Sequence, residues 1–266
     1  MESNRPRALI TGASAGIGAA FALRLARDGH DLVLVGQRRD RLEAVAAEAA
    51  QCGAQSQIIV ADLATREGVD AMLEAITPQS SPGTRELSVA VLNAGVTHAA
   101  AVGETDPAEA GRIVELLATG VMHTAERIVP QMIAAGRGQV VIISSIAAFT
   151  PMRKSAIYAA SKSFVTAYAR SLQLEVRSKG VTVLAVCPGY VRTELHERAG
   201  LGHLSTTVPG FLWLEPGAVV DESMRAAARG RAVLVPGIVY RLTRPFLNLR
   251  ALQKVWHRLT RRPRTQ

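Results

Sequence analysis

Tyr158 and Lys162 stand four residues apart in Tyr158-Ala-Ala-Ser-Lys162, and Ser145 precedes the tyrosine by thirteen residues. On a helix over 152–178, the phenol and the ammonium lie one turn apart on the same face. A phenol ordinarily loses its proton near about pH 10. A neighbouring ammonium favours the phenolate and so lowers that pKa towards neutrality. A tyrosine so tuned can give a proton to a ketone oxygen or take one from an alcohol. Ser145 closes the apolar run Gln139-Val-Val-Ile-Ile-Ser-Ser145, which reads as a buried strand. A hydroxyl at that strand's end can hold the same substrate oxygen. A surface tyrosine near a lysine would show the same spacing, so the weight of the motif comes from the chain around it.

That chain alternates short β-type runs with Ala-rich helical stretches. The candidate strands are Arg7–Ile10, Asp31–Val35, Ser56–Val60, Ser88–Leu92, Gln139–Ile143, Val181–Val186 and Arg231–Val235. Segments 17–28, 40–51, 66–76, 107–134 and 152–178 suit helices. Most of the strands are continuous apolar runs, the pattern of strands buried on both faces of a parallel sheet. Repeated βαβ units of this kind predict a doubly wound, three-layer α/β/α fold with a Rossmann-type sheet. No internal linker or low-complexity segment interrupts it, so residues 1–237 read as a single domain and 238–266 as a C-terminal extension. Gln79-Ser-Ser-Pro-Gly-Thr84 reads as an exposed loop.

Directly after the first strand comes Thr11-Gly12-Ala13-Ser14-Ala15-Gly16-Ile17-Gly18. Gly12 permits a tight turn, Gly16 lets backbone approach a pyrophosphate, and Gly18 allows close helix packing. The helix that follows offers free N–H groups and a positive dipole end, so Ser14, Ala15 and Ile17 join the glycines as candidate cofactor contacts. The end of the second strand, Gly36-Gln37-Arg38-Arg39, has no acid to bind the ribose hydroxyls of NAD. Arginines suit a 2′-phosphate, which favours NADP(H) over NAD(H), with Arg38 the leading contact and Arg39 the second. Solvated charges at a helix start are the alternative for both. Asp62 and Leu63, after the third strand, suit the adenine edge; Asn93-Ala94-Gly95, after the fourth, suits the nicotinamide side.

Taken together, the chain resembles a short-chain dehydrogenase/reductase over roughly residues 5–237. Thr11-Gly12-x3-Gly16-x-Gly18, Asn93-Ala94-Gly95, Ser145, Tyr158-x3-Lys162 and Pro188-Gly189 match in order and spacing. The resemblance implies a sheet of about seven strands and reversible hydride transfer between NAD(P)H and a carbonyl/alcohol pair. It implies that Tyr158 is the acid/base, that Lys162 lowers its pKa and binds the nicotinamide ribose, and that Ser145 positions the substrate oxygen. Pro188, Gly189, Val191 and Thr193 fall in the segment that contacts the nicotinamide carboxamide. It also implies a homodimer or homotetramer. One position departs from the family. Many members carry an Asn thirteen residues before the proline of the fourth helix, and counting back from Pro130 gives Leu117. Leucine cannot hold the water that relays protons to the active-site lysine. Thr119 is the nearest side chain that could replace it; otherwise turnover is reduced.

Composition bounds the rest. Cys52 and Cys187 cannot support a disulfide framework, and their spacing is not that of a metal site, so both read as buried thiols in a cytoplasmic protein. The N-terminus carries no apolar signal region and no run is long enough to span a membrane. The net charge of +9 is uneven: residues 1–222 hold 20 Lys/Arg against 22 Asp/Glu, and residues 223–266 hold 11 Lys/Arg and no acid. No nucleic-acid reading module accompanies that charge. Beyond Gly237, apolar residues three or four apart alternate with arginines, a basic amphipathic helix. Docking on the subunit or its dimer partner is one reading of it; a peripheral membrane contact is another. Residues 194–215 fall at the family's substrate lid, where Phe211, Leu212, Trp213 and Leu214 either cover an apolar substrate or pack the lid on the core. His196 and His203 read as surface residues. The function expected is an NADP(H)-dependent ketone or aldehyde reductase or alcohol dehydrogenase acting on an apolar small molecule. A membrane-associated lipid, steroid or 3-ketoacyl oxidoreductase and a non-catalytic NADP(H)-binding sensor are the alternatives.

Overall fold

The computed structural model describes residues 5–77, 87–194 and 207–246. The loop expected at 79–84, His196 and His203 within the lid, and the helix expected beyond residue 246 lie outside them.

Seven parallel strands form the central sheet: β1 (Arg7–Thr11), β2 (Asp31–Gly36), β3 (Ser56–Val60), β4 (Leu87–Leu92), β5 (Gly138–Ile143), β6 (Val181–Val186) and β9 (Val233–Leu234). Their order is β3-β2-β1-β4-β5-β6-β9. Two short strands, β7 (Tyr190–Val191) and β8 (Trp213–Leu214), pair separately beyond the sheet. The continuous apolar runs work as expected, because the pleat divides each run between two cores. Leu9 of β1 faces one core while Ala8 and Ile10 face the other. In β6, Val183 and Ala185 face the first core, and Leu184 and Val186 the second. Each fully buried Val, Leu or Ile among them contributes about 1.5–3 kcal/mol. β3, at one sheet edge, departs furthest from two-sided burial, with Val60 46% exposed.

Helices α1 (Gly16–Arg27), α2 (Arg39–Ala50) and α7 (Pro216–Ala228) cover one face through Phe21, Leu42 and Val219. Helices α3 (Arg66–Ile76), α5 (Gly120–Ala134) and α6 (Ala156–Val176) cover the other through Val69, Ala125 and Val165. The helix expected over 107–134 begins as α4 (Pro107–Val114) but does not run straight into α5. A π-helical turn, Glu115–Thr119, joins the two, and it contains Leu117. Such a turn adds one residue to the helical repeat, and sequence periodicity does not register it. α6 begins later than expected, at Ala156, because residues 152–155 form the turn that precedes it.

Helix α8 (Ile238–Thr243), the last among the described residues, is anchored by Tyr240, which is 1% exposed and belongs to the first core. Its hydroxyl donates to the Leu212 carbonyl at 2.6 Å and accepts from the Tyr190 amide at 3.1 Å. Through Tyr240, the stretch Ile238–Thr243 therefore packs into the core that carries the site. Among the described residues, no helix is long and apolar enough to cross a membrane.

Candidate active site

The order of the sheet reverses between β1 and β4, and the crevice beyond the strands' C-terminal ends at such a reversal is where α/β sheets hold ligands. A cleft of about 390 Å³ lies there. It runs from Ser14 and Arg38 at one end to Ser145, Tyr158 and Lys162 at the other.

The phosphate end has the shape that backbone recognition of an anion requires. Gly12 and Gly16 take positive φ values of 64° and 58°, which side-chain-bearing residues rarely adopt. A Cβ at Gly12 would stand 2.8 Å from Ala94 Cα, and one at Gly18 would stand 2.2 Å from the Gly12 carbonyl oxygen. The loop is braced by Asn93, whose Nδ2 donates to the Thr11 and Gly12 carbonyls at 3.0 and 3.1 Å. Thr11 Oγ1 in turn accepts from the Asn93 and Ala94 amides. The start of α1 has no side-chain cap, whereas α3 and α4 are capped by Thr65 and Asp106. The uncapped N–H groups and dipole end suit a pyrophosphate. This cradle fits a dinucleotide.

Of the residues expected to hold that cofactor, Gly12, Ser14, Ala15, Gly16, Ile17, Arg38, Leu63, Asn93, Ala94, Gly95, Pro188, Gly189, Val191 and Thr193 line the cleft. Gly18 lies beneath it, packed on Gly12 and Asn93. Two charged residues are placed elsewhere. Arg39 pairs with Glu43, 3.7 Å away along α2. Asp62 accepts from Arg112 Nη2 at 2.6 Å and from Gln37 Nε2 at 2.7 Å, and Arg112 holds its carboxyl below the usual range. Gln37 and Glu194, which the sequence did not single out, do line the cleft.

At the other end, Ser145 follows β5 and Tyr158 rises from the first turn of α6. Burial pushes the Tyr158 phenol up from its ordinary value, and the hydrogen bond from Ser145 works against that shift. Lys162 Nζ lies 5.8 Å from the centre of the tyrosine ring and donates to the Ile143 carbonyl at 2.9 Å. Ser145 is the neighbour that draws the phenol's pKa down, and Lys162 directs its ammonium to the strand-end carbonyl. A neutral phenol is the form that protonates a ketone oxygen. Lys162 is 6% exposed, and burial brings its ammonium down to about 8. Beneath it, Ser144 Oγ donates to the Lys162 carbonyl at 2.9 Å and pairs with Thr166 Oγ1 at 2.7 Å. Thr166 in turn touches Cys187, whose thiol burial pushes up to about 11.

Leu117 is 1% exposed. Its Cδ2 lies 3.1 Å from the point where a Gly95 side chain would begin, and Lys162 Nζ lies 3.8 Å from that point. Thr119, the candidate substitute for a relay, spends its hydroxyl on the Glu115 carboxylate within the π-helical turn. An apolar side chain beside Lys162 adds to the burial that depresses its pKa. Leu117→Asn is therefore expected to raise the pKa of Lys162. The alkaline loss of NADPH affinity, set by the ammonium, should then move to higher pH, with turnover at neutral pH preserved or raised. Titrating NADPH affinity against pH in both proteins checks this; an unmoved midpoint or a large loss of turnover in a folded variant contradicts it.

A family model described as short chain dehydrogenase matches residues 6–202. The chain is a short-chain dehydrogenase. An uncharacterized oxidoreductase of Myxococcus xanthus is 34% identical to it over 188 residues, 71% of this chain and 73% of the relative. The glycine betaine reductase ATRR of Emericella nidulans is 35% identical over 188 residues, and the chain spans 14% of that protein's length. Among solved structures, the short-chain dehydrogenase from Sphingobium yanoikuyae in complex with NADPH superposes with a TM-score of 0.79 at 30% identity. That match covers 98% of this chain and 97% of the other. The bulky-bulky ketone specific alcohol dehydrogenase from Comamonas testosteroni gives 0.76 at 27% identity, covering 98% and 96%. This short-chain dehydrogenase is accordingly an NAD(P)-dependent oxidoreductase, and the fold expected for it is the one observed.

Proposed function

We propose that this short-chain dehydrogenase interconverts NADP(H)-dependently a ketone or aldehyde and its alcohol on an apolar carbon frame. The observation that carries the reading is the Ser145–Tyr158–Lys162 group at one end of a cleft whose other end holds Arg38. Gly12, Gly16 and the N-terminus of α1 would hold the pyrophosphate, Lys162 and the Pro188–Gly189 turn the nicotinamide half, and Arg38 with Ser14 the 2′-phosphate. When bound, the nicotinamide supplies or accepts the hydride. The side chains do the rest. Ser145 holds the substrate oxygen, Tyr158 donates the proton that oxygen needs, and Lys162 keeps positive charge beside it.

Two features support NADP(H). No acid follows β2 to meet a free ribose hydroxyl. Arg38 Nη2 instead reaches Ser14 Oγ at 3.5 Å, on the glycine loop. Apolar substrates are supported by Val96, Ala147 and Met152 in the wall of the cleft that Tyr158 also lines, and by the named specificity of the Comamonas relative for bulky ketones. Leu212 is buried in the core and Phe211 is 72% exposed. Neither lines the cleft, which favours the packing role for Leu212 and leaves Phe211 on the surface.

An NADPH-oxidation screen over bulky and small ketones, aldehydes, 3-ketoacyl esters and steroids tests the reading. Ketone-dependent oxidation, faster with NADPH than with NADH, is the expected result. Binding of NADPH without oxidation by any of these would instead make the protein a cofactor-binding sensor.

A further inference from the structure

The residue after Thr193 carries a negative charge to the end of the cleft that Arg38 lines, with Arg41 beside it. Glu194 Oε2 lies 3.6 Å from Arg38 Nη1, and its Oε1 lies 3.8 Å from Arg41 Nη1. One carboxylate thus bridges two guanidiniums that stand three residues apart on the same face at the start of α2. Arg38 also reaches Ser14 on the glycine loop. Thr193 itself crosses that loop, with its Cγ2 2.8 Å from the point where a Gly16 side chain would begin. The chain thereby occupies an anion position at the adenosine end with an anion of its own.

We propose that Glu194 is a cofactor-specificity residue: its carboxylate takes the place between Arg38 and Arg41 that the 2′-phosphate of NADP(H) takes, and must be displaced by it. The proposal rests on the NADP(H) reading above. It also assigns the second phosphate contact to Arg41, since Arg39 is turned towards Glu43.

The chemistry of the exchange is one-sided. A phosphate monoester brings three acceptor oxygens and roughly −1.5 to −2 charge, against one charge and two oxygens for a carboxylate. Guanidinium forks meet both groups, but the distances to Glu194 are those of an ion pair and not of short charge-assisted hydrogen bonds. The phosphate therefore wins, at the cost of breaking two ion pairs and bringing like charges close. NAD(H) has no 2′-phosphate and leaves Glu194 in place. The carboxylate thus lowers affinity for NADP(H) alone and narrows the preference that the two arginines create.

The test uses adenosine 2′,5′-bisphosphate and AMP, which share everything except the 2′-phosphate, with binding to the full chain measured calorimetrically at low salt. Glu194→Gln is expected to tighten the bisphosphate by about two- to fivefold, the range for exposed ion pairs, and to leave AMP unchanged. Arg41→Ala is expected to weaken the bisphosphate several-fold and not AMP. The preference for the bisphosphate should also fall with added salt in wild type. Bisphosphate binding that Glu194→Gln weakens or leaves unmoved, in a protein that prefers bisphosphate to AMP, overturns the assignment of Glu194 alone. Wild-type protein that binds AMP as tightly as the bisphosphate overturns the NADP(H) reading beneath it.

Discussion

Tyr158→Phe is expected to lower turnover by about 10²- to 10⁴-fold while leaving NADPH affinity within about twofold of wild type. The substitution removes one oxygen and keeps the ring. The cradle of Gly12, Gly16 and the α1 N-terminus is untouched, and Lys162 keeps its hydrogen bond to the Ile143 carbonyl. What is lost is the acid. Ser145 retains a hydroxyl that can hold the substrate oxygen, but a serine hydroxyl is a far weaker proton donor than a phenol, and its oxygen already accepts from the Ala147 amide at 3.1 Å. Steady-state kinetics with fluorescence titration of NADPH separates the two effects. Turnover surviving within a few-fold would remove Tyr158 from the chemistry.

Gly189→Ala carries the second large effect, on stability and on the nicotinamide end together. A Cβ at Gly189 would stand 2.0, 2.2 and 2.4 Å from three atoms of the Tyr240 ring. Neither side can yield easily. Gly189 belongs to the turn after β6, and Tyr240 is 1% exposed with its hydroxyl bound to Leu212 and Tyr190. Expelling the ring opens a cavity and leaves the Tyr190 amide without that acceptor, which together cost about 3–5 kcal/mol. The same displacement moves the Pro188–Gly189 turn against the cofactor, so NADPH affinity falls as well. Residues in direct contact give non-additive effects. Pairing Gly189→Ala with Tyr240→Leu should therefore cost less than the two single changes summed. Thermal unfolding of the three variants measures this; strict additivity would show that the ring does not police the turn.

Much of the architecture could be read from the chain because each apolar run had to satisfy two cores at once. A strand such as Val181–Val186 buried on both faces leaves few alternatives to a parallel sheet with helices on either side. The glycine loop was legible for a similar reason: close backbone approach leaves room only for glycine at Gly12 and Gly18. Side-chain direction was harder. Arg38, Arg39 and Arg41 are near-equivalent in sequence, yet about 100° of rotation per residue in the first turn of α2 sends Arg39 to Glu43 and the other two to Glu194. Asp62 follows a strand end that points at the cleft, but Arg112, fifty residues away, draws its carboxylate aside. Long-range partners of this kind leave no local trace. Nor did Tyr240, whose aromatic ring falls within an apparently regular basic amphipathic pattern. The one signal for it was the glycine at 189, whose missing side chain makes room for the ring. Leu117 was identified from spacing, but not the π-helical turn that carries it, since one extra residue per turn is invisible to a period of 3.6.

Transfer of deuterium from NADPH labelled at C4 of the nicotinamide to a bulky ketone, followed by mass spectrometry of the alcohol, tests the whole arrangement most directly. The account predicts one deuterium on the carbinol carbon of each product molecule from one labelled face of the ring, at a rate that collapses in Tyr158→Phe. Alcohol formed without deuterium from either face, or labelled product formed as fast by Tyr158→Phe as by wild type, would contradict it.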